Sequence, residues 1–482
     1  MKQAGRFGLA LAMALAVAPA HAQEVITKQY DDGGIYEGTF RDGKQDGFGK
    51  YRLPSGYEYE GEWRMGEIAG QGRARFPDGS IYEGQFARGK PDGQGKITFA
   101  DGGTYEGDWV AGAITGTGVA HYANGTTYTG QFVNALHDGQ GVLTGPDGYR
   151  YEGSWVQGVK SGTGQITYPD GAEYVGEMAA GQRHGRGKLT LANGVIYEGD
   201  WVAGRMEGQG VLIQPNGDRY EGGMLAGQRS GAGKVAYANG DSYTGNFALD
   251  KPNGQGTFRG ADGYVYTGEW VEGRIEGMGR AEFPDGSIYE GAFKNDMPEG
   301  KGRIAYPDGA TYEGDWVGGV IEGRGLARYA NGLVYEGDFL AARQHGQGKM
   351  TYPDGYTYEG DWADGQRQGE GTAIHPDGTI YTGEFVAGQR EGYGKLVMPD
   401  GFTYEGAWVN GEIDGPGKAT YANGDVYEGM FVRGRRQGKG VMRYASGVVE
   451  GGIWEEDQLA EPAKPLPPGP DDTTVTEPPD DK

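Results

Sequence analysis

Tyr289-Glu290-Gly291-Ala292-Phe293, then Gly300-Lys301-Gly302, then Tyr306-Pro307-Asp308-Gly309, make up one period of a pattern that fills this chain. The next tyrosine in phase is Tyr312, and eighteen 23-residue periods run from Tyr36 to Val449 without insertion or deletion. Numbered from the tyrosine, positions 3, 12, 14 and 21 are glycine in all eighteen. So much glycine opposes helix. Tyr, Gly and an aromatic at positions 1, 3 and 5 alternate with a period of two, which puts them on one face of a strand. A strict short period also means a one-dimensional array whose units cannot bury an apolar face alone.

A second strand is expected over positions 14 to 18, closed by Pro-Asp-Gly or Ala-Asn-Gly in a three-residue hairpin loop with its last residue left-handed. Counting back from that loop sets position 16 against the next tyrosine, and position 15 against the next position 2. Lys50 then faces Glu60, Arg73 faces Glu83, Lys188 faces Glu198 and Lys395 faces Glu405. Opposite charges across a wetted sheet face are favourable. The glutamate column is therefore read as ion pairs rather than as a cation ladder.

All nine tryptophans, Trp63, Trp109, Trp155, Trp201, Trp270, Trp316, Trp362, Trp408 and Trp454, stand at position 5. Position 16 compensates in size, with Ala74, Ala120 and Ala281 in tryptophan repeats and Ile97, Leu143 and Leu396 in the others. Large against small is how a packed layer keeps its volume. These tryptophans, with Tyr59 and Tyr105, are accordingly an aromatic core rather than a sugar-stacking ladder. Glycine at position 3 is expected to lie under the aromatic usual at position 18, such as Phe76, Tyr306 or Tyr352.

Tryptophan repeats alternate with Phe or Met repeats, and the alternation slips once, at Met224 and Phe247. The tryptophan series recurs after 207 residues, nine periods, so the array reads as a nine-repeat block placed twice, at 36–242 and 243–457. A change in curvature is expected near 220–265.

The pattern Tyr-x-Gly-x-Trp with later turn glycines, complete in Tyr312-Glu313-Gly314-Asp315-Trp316 and Gly323-Arg324-Gly325, is similar to the Membrane Occupation and Recognition Nexus (MORN) repeat. Position 8 departs from glycine at Ala135, Asp250, Asp296 and Ala342. The resemblance implies an all-β fold, an elongated single-layer twisted antiparallel sheet of tandem β-hairpins. It further implies a non-enzymatic role in binding proteins or lipids, often with self-association.

The first 22 residues carry Lys2 and Arg6, an apolar run and Ala20-His21-Ala22, the pattern of a cleaved signal peptide. A periplasmic or secreted mature chain is expected, with residues 23–35 as an N-terminal cap. Cysteine is absent, so thiolate sites and disulfides are excluded. A net charge of −24 argues against nucleic acid. His121, His137, His184, His345 and His375 share no common spacing, so neither a metal, a cofactor nor catalytic residues are expected. Residues 458–482, acidic and proline-rich, read as a disordered spacer, or as a docking segment for a basic partner.

A bare apolar face over this length must curl upon itself, pair with a second copy or be covered by a partner. Self-association with protein partners is the preferred expectation, and a cell-wall glycan or membrane lipid ligand the rival. Variable positions 9 to 11, as in Lys90-Pro91-Asp92, Arg205-Met206-Glu207 and Gln389-Arg390-Glu391, read as partner-contact loops.

Overall fold

The computed structural model describes residues 24–463, so the signal peptide expected at 1–22 and most of the tail expected at 458–482 lie outside the described residues. Among these there are 39 strands and no helix, from β1 (Ile26–Gln29) to β39 (Gln458–Pro462). The chain divides into two compact units between Gln228 and Arg229. That division falls inside the 220–265 stretch where the tryptophan alternation slips, ahead of the sequence boundary at 242/243. Within each unit successive strands pair antiparallel in a single open layer.

One repeat explains the rest. β4 (Glu58–Arg64), β5 (Glu67–Arg75) and β6 (Ile81–Ala87) are joined by two kinds of turn. Between β5 and β6, the Phe76 N–H donates to the Ser80 carbonyl at 2.8 Å, and the Gly79 N–H to the Phe76 carbonyl at 3.0 Å. The Asp78 carboxylate accepts from the Ser80 N–H at 2.9 Å. Gly79 has φ +92°, the left-handed conformation that reserves position 21 for glycine. Ala74 faces Tyr82 and Arg73 faces Glu83, the register read from the letters.

The other turn differs from expectation. Met65 and Gly66, with φ of 49° and 100°, form a two-residue type I′ turn, so the second strand begins at position 9 instead of position 14. In most repeats an ordinary residue at position 7 hides the turn, and the usual turn pair stands at these positions only as Asp42-Gly43, Gly318-Gly319, Asp364-Gly365 and Asn410-Gly411. Ala135, Asp250, Asp296 and Ala342 take φ between 62° and 68°, so the four departures at position 8 keep the same backbone.

The extra length of β5 is absorbed in a bulge. Gly61 pairs with Gly72 and Trp63 with Ile68, so residues 69–71 face Glu62 alone, and Gly70 bends through φ +77°. At this break in the ladder the Tyr59 hydroxyl donates to the Glu62 carbonyl at 2.9 Å. Tyr82 does the same to Gln85, and Tyr289 to Ala292, both at 2.9 Å.

Positions 3 and 14 need glycine for space. A Cβ on Gly72 would stand 2.4–2.6 Å from the Tyr59 hydroxyl and ring, and one on Gly61 would meet the Gly72 Cα at 2.5 Å. The ring over bare glycine is therefore the repeat's own tyrosine. The position 18 aromatics expected there, such as Phe76, instead open the hairpin loops. Ala74 likewise lies opposite Tyr59 and Tyr82, not opposite a tryptophan, and its size relates to Trp63 only through the shared face.

Tyr59 meets two rings edge-on, Trp63 at 5.6 Å and Phe86 at 5.1 Å, whereas Tyr151 and Tyr197, next to Met178 and Met224, meet one position 5 ring each. Such contacts contribute about 0.5–1.5 kcal/mol each beyond area burial. Tyr59 is 2% exposed and Trp63 8%, and Tyr105 with the other eight tryptophans is buried too. The aromatic core expected from sequence is thus closed within a single chain. Burial pushes the Tyr82 and Tyr289 hydroxyls up to about 12, keeping them donors at ordinary pH.

Both ends of the described chain are half-repeats. β1 pairs with β2 (Ile35–Arg41) through a Tyr30–Gly34 loop of the same kind as Phe76–Ser80. Residues 458–462, read from sequence as the start of the tail, instead form β39 against β38 (Val449–Glu455).

Gly72→Ala is expected to destabilise its repeat by about 3 kcal/mol. Tyr59→Phe should cost about 1 kcal/mol through the lost hydroxyl bond. Gly43→Ala at position 8, where nothing lies within 4 Å, should cost only about 1 kcal/mol of backbone strain. Amide exchange measured repeat by repeat tests the order, and equal losses for Gly72→Ala and Gly43→Ala would refute the ring-on-glycine account.

Candidate interaction surfaces

A single layer offers an aromatic face, a polar face and two edges of turns. On the polar face positions 2 and 15 form one charged row, with Lys50–Glu60 at 3.2 Å, Arg73–Glu83 at 3.0 Å and Lys349–Glu359 at 3.4 Å. Lys188 and Glu198, and Lys395 and Glu405, stand opposite in register. Exposed pairs of this kind contribute at most about 1 kcal/mol each. Positions 4 and 13 form a second row, and between the rows the floor is glycine backbone. The resulting groove, about 450 Å3 where Arg186, Lys188, Glu198, Gln209 and Glu221 line it, recurs between Glu290 and Glu336.

Exposed apolar side chains interrupt the polarity of this face, among them Val175 at position 2, Met430 at position 4 and a row of valines and leucines at position 6 such as Val110 and Leu225. Phe48, Met278 and Tyr393, all at position 13, are 58%, 61% and 57% exposed. Sequence reading passed over position 13, although its letters change more than any other on that face, from Thr117 and Arg186 to Lys301 and Pro416.

The residues read as partner-contact loops lie in strands, because the type I′ turn takes only positions 7 and 8. Lys90-Pro91-Asp92 open β7 (Lys90–Thr98), Arg205-Met206-Glu207 open β17 (Arg205–Ile213), and Gln389-Arg390-Glu391 open β33 (Gln389–Val397). Their acids serve the fold. Asp92 accepts from the Ala111 N–H at 3.0 Å, Glu207 from the Ala226 N–H at 3.0 Å and Glu391 from the Asn410 N–H at 2.8 Å, each in the next repeat's turn. The Pro91 carbonyl beside them accepts from the Gly112 N–H at 2.8 Å. The signal was present: position 11 carries a hydrogen-bonding side chain in seventeen of eighteen repeats, Ala69 excepted.

Position 10 covers the aromatics. Pro91 lies opposite Phe86, and Met206 opposite Trp201. The Arg390 guanidinium stands 4.3 Å from the Trp408 ring centroid and 5.5 Å from that of Tyr381. Only Lys90, Arg205 and Gln389, at position 9, remain exposed.

His137 is the position 10 cover of its repeat. It stacks on Tyr128 at 3.6 Å between centroids, meets Trp155 edge-on at 4.8 Å, and its Nε2 lies 2.7 Å from the Tyr122 hydroxyl. Burial holds its pKa down at about 4. Among the described residues, no group of three or more His, Cys, Asp or Glu is placed to hold a metal ion.

The unfolded chain takes up a proton at His137 near pH 6.5, whereas the folded chain resists until about 4. Stability therefore falls as pH drops through that window, by on the order of 2 kcal/mol once half-burial is allowed for. His137→Gln, which installs the residue found 207 positions later at Gln344, should remove that part of the pH dependence. Urea unfolding of both proteins at pH 7 and pH 4.5 checks it, and an unchanged difference between the two pH values would contradict it.

Comparison with known proteins follows the same periodicity. The family model of the MORN repeat matches eighteen successive segments, from 36–56 to 427–449. Alsin from Rattus norvegicus is 43% identical over 49 residues, and alsin from Homo sapiens 41% over 49 residues. Either match covers 9% of this chain and 3% of alsin, so the chain spans a small fraction of these curated relatives. Among solved structures, the SAS-4 TCP domain of Drosophila melanogaster, in complex with a proline-rich motif of Ana2, is similar at 18% identity. It covers 33% of this chain and 89% of that one, with a TM-score of 0.22. A streptogramin B lyase covers 60% and 89% at 14% identity and a TM-score of 0.11. Neither of these carries an argument, whereas the repeat matches extend over most of the sequence, and the chain belongs to the MORN-repeat family.

Proposed function

We propose that this protein is a non-enzymatic scaffold that holds protein partners along the polar face of its sheet. The observation that carries the reading is the trio Phe48, Met278 and Tyr393, large and more than half exposed at one variable position beside the ion pairs and glycine backbone of that face. Apolar anchors ringed by polar groups are the usual form of a protein-binding hot spot. A frame held constant by glycine and tyrosine, with a position 13 that varies, suits recognition of unlike partners better than one repeated ligand subsite.

Binding to cell-wall glycan or lipid is the second reading, and burial of the tryptophans withholds that regular ladder of rings from sugars. The signal-peptide pattern of residues 1–22 supports export, to the cell envelope or beyond. Self-association belongs to the proposal as well, supported by the exposed edge strand β1.

The test is in-cell crosslinking of the mature protein with mass spectrometry of the captured species. Wild type is expected to capture defined proteins, and the triple variant Phe48→Ala, Met278→Ala, Tyr393→Ala to lose most of that capture while its amide protection is retained. Capture of glycan or lipid alone would overturn the proposal.

A further inference from the structure

The incomplete repeats at the two described ends are complementary. In the frame of the repeat, β1 occupies positions 14 to 17 of a unit without a first strand, and β39 positions 9 to 13 of a unit without the rest of its second strand. The two strands claim no position in common, so β39 of one copy and β1 of another add up to one second strand. β39 is held as in a whole repeat. In the turn before it the Arg436 Nε lies 3.2 Å from the Asp457 carboxylate, just as the Arg229 Nε lies 3.4 Å from that of Asp250, 207 residues earlier. Among the described residues β1 pairs only with β2, and the outer edge of β38 over residues 449–451 carries one ladder bond, from the Ala463 N–H to the Gly451 carbonyl at 2.6 Å.

Three letters that hold throughout the array change at these ends, and they change together. Position 1 is tyrosine, position 14 glycine and position 16 apolar or aromatic in all eighteen repeats, whereas here they are Glu450, Ile26 and Lys28. Inside a repeat, position 14 must be glycine because the position 1 ring lies on it, as Tyr59 lies on Gly72. Glu450 brings no ring, so the strand added beside it has room for a side chain at position 14. Positions 1 and 16 face each other, as Tyr59 faces Ala74. The same register sets Lys28 of one copy against Glu450 of another, opposite charges directly across a ladder. Among the described residues neither forms an ion pair within its own chain: the Lys28 ammonium lies 5.0 Å from the Tyr30 ring centroid, and the Glu450 carboxylate accepts from the Tyr444 hydroxyl at 2.7 Å.

The apolar groups match too. Along the loop edge position 22 packs on the next repeat's position 18, Tyr57 against Phe76 at 5.9 Å and Phe402 against Tyr421 at 5.5 Å. At the ends Val448, about half exposed, stands at position 22 and Tyr30 at position 18. The chain's own next residues include Pro465, Pro467 and Pro468, which have no N–H to donate to a ladder. We propose that copies associate head to tail, β1 of one adding to the outer edge of β38 of another, with Lys28 against Glu450, Gln29 against Val449 and Thr27 against Gly451. Ala463 yields its bond to Gly451, and Glu24 and Val25, which belong to no strand, pass clear of β39. The proposal rests on the self-association reading above and gives it a surface and a register. Like ends set Lys28 against Lys28 or Glu450 against Glu450, so charge selects the unlike pairing. Such an interface is heterologous and either closes into a ring or runs on as a filament.

Because the chain has no cysteine, Gln29→Cys and Val449→Cys, made in separate chains, give each copy one thiol. Mixed one to one and oxidised by air, the mature proteins are expected to form the mixed disulfide in at least fivefold excess over either disulfide between identical chains. Sedimentation over a hundredfold range of concentration gives a second reading. Lys28→Glu and Glu450→Lys should each weaken association about fivefold, and their equal mixture should return it to within twofold of wild type, since the two reversals complement each other. Val449→Cys linking to itself as readily as to Gln29→Cys, or association that neither reversal weakens, would overturn the head-to-tail register and leave self-association standing. Wild-type protein that stays monomeric throughout the range would overturn both.

Discussion

Every repeat depends on a tyrosine ring lying directly on glycine backbone. The ring needs positions 3 and 14 empty of side chain, and its hydroxyl reaches the position 4 carbonyl only because the neighbouring strand bulges there. The bulge in turn requires a left-handed glycine at position 12. Four of the invariant letters are therefore one interlocked condition, and a change at one of them would strain the rest. The same geometry lets a single layer bury its own aromatics: each tyrosine lies between two position 5 side chains, rings except at Met178 and Met224, and position 10 closes the layer from the side. A sheet without a second layer normally borrows its cover from elsewhere, and here the cover comes from within each pair of neighbouring repeats.

Much of this could be read from the letters, because period-two alternation and Pro-Asp-Gly loops are local signals. The register of Lys50 with Glu60 and Arg73 with Glu83 followed by counting, since a three-residue loop fixes which residues face each other. What escaped reading depends on backbone conformation. A type I′ turn with Met65 or Ala111 at its first position carries no composition signal, so the second strand looked shorter than it is. Asp92, Glu207 and Glu391 then appeared as loop residues free for partners. Their real task, capping a turn 19 residues later, is a contact between repeats that a single period does not display. The position 13 anchors were missed for the opposite reason: three exposed apolar residues among eighteen look like noise until a face is assigned to them.

The two faces divide the work. One is uniform and sealed, so its chemistry is spent on stability. The other is a corrugated polar strip whose frame repeats while its occupants change, and recognition there is set by which repeat a partner meets. Charge is shared between face and edge: acids outnumber Lys and Arg in the rows at positions 2, 4, 13 and 15, and the hairpin loops at positions 18–22 contain aspartates and neither Lys nor Arg.

The Arg229–Asp250 and Arg436–Asp457 clasps stand at matching points of the two nine-repeat blocks, 207 residues apart. Lys160 with Arg367, Arg183 with Arg390 and His137 with Gln344 repeat the correspondence within the blocks. A duplication of the whole block would carry its own joint with it, since each clasp joins the last repeat of one block to the first hairpin of whatever follows. Growth by copying would then need no new interface to be invented, and length becomes a heritable quantity that changes in steps of nine.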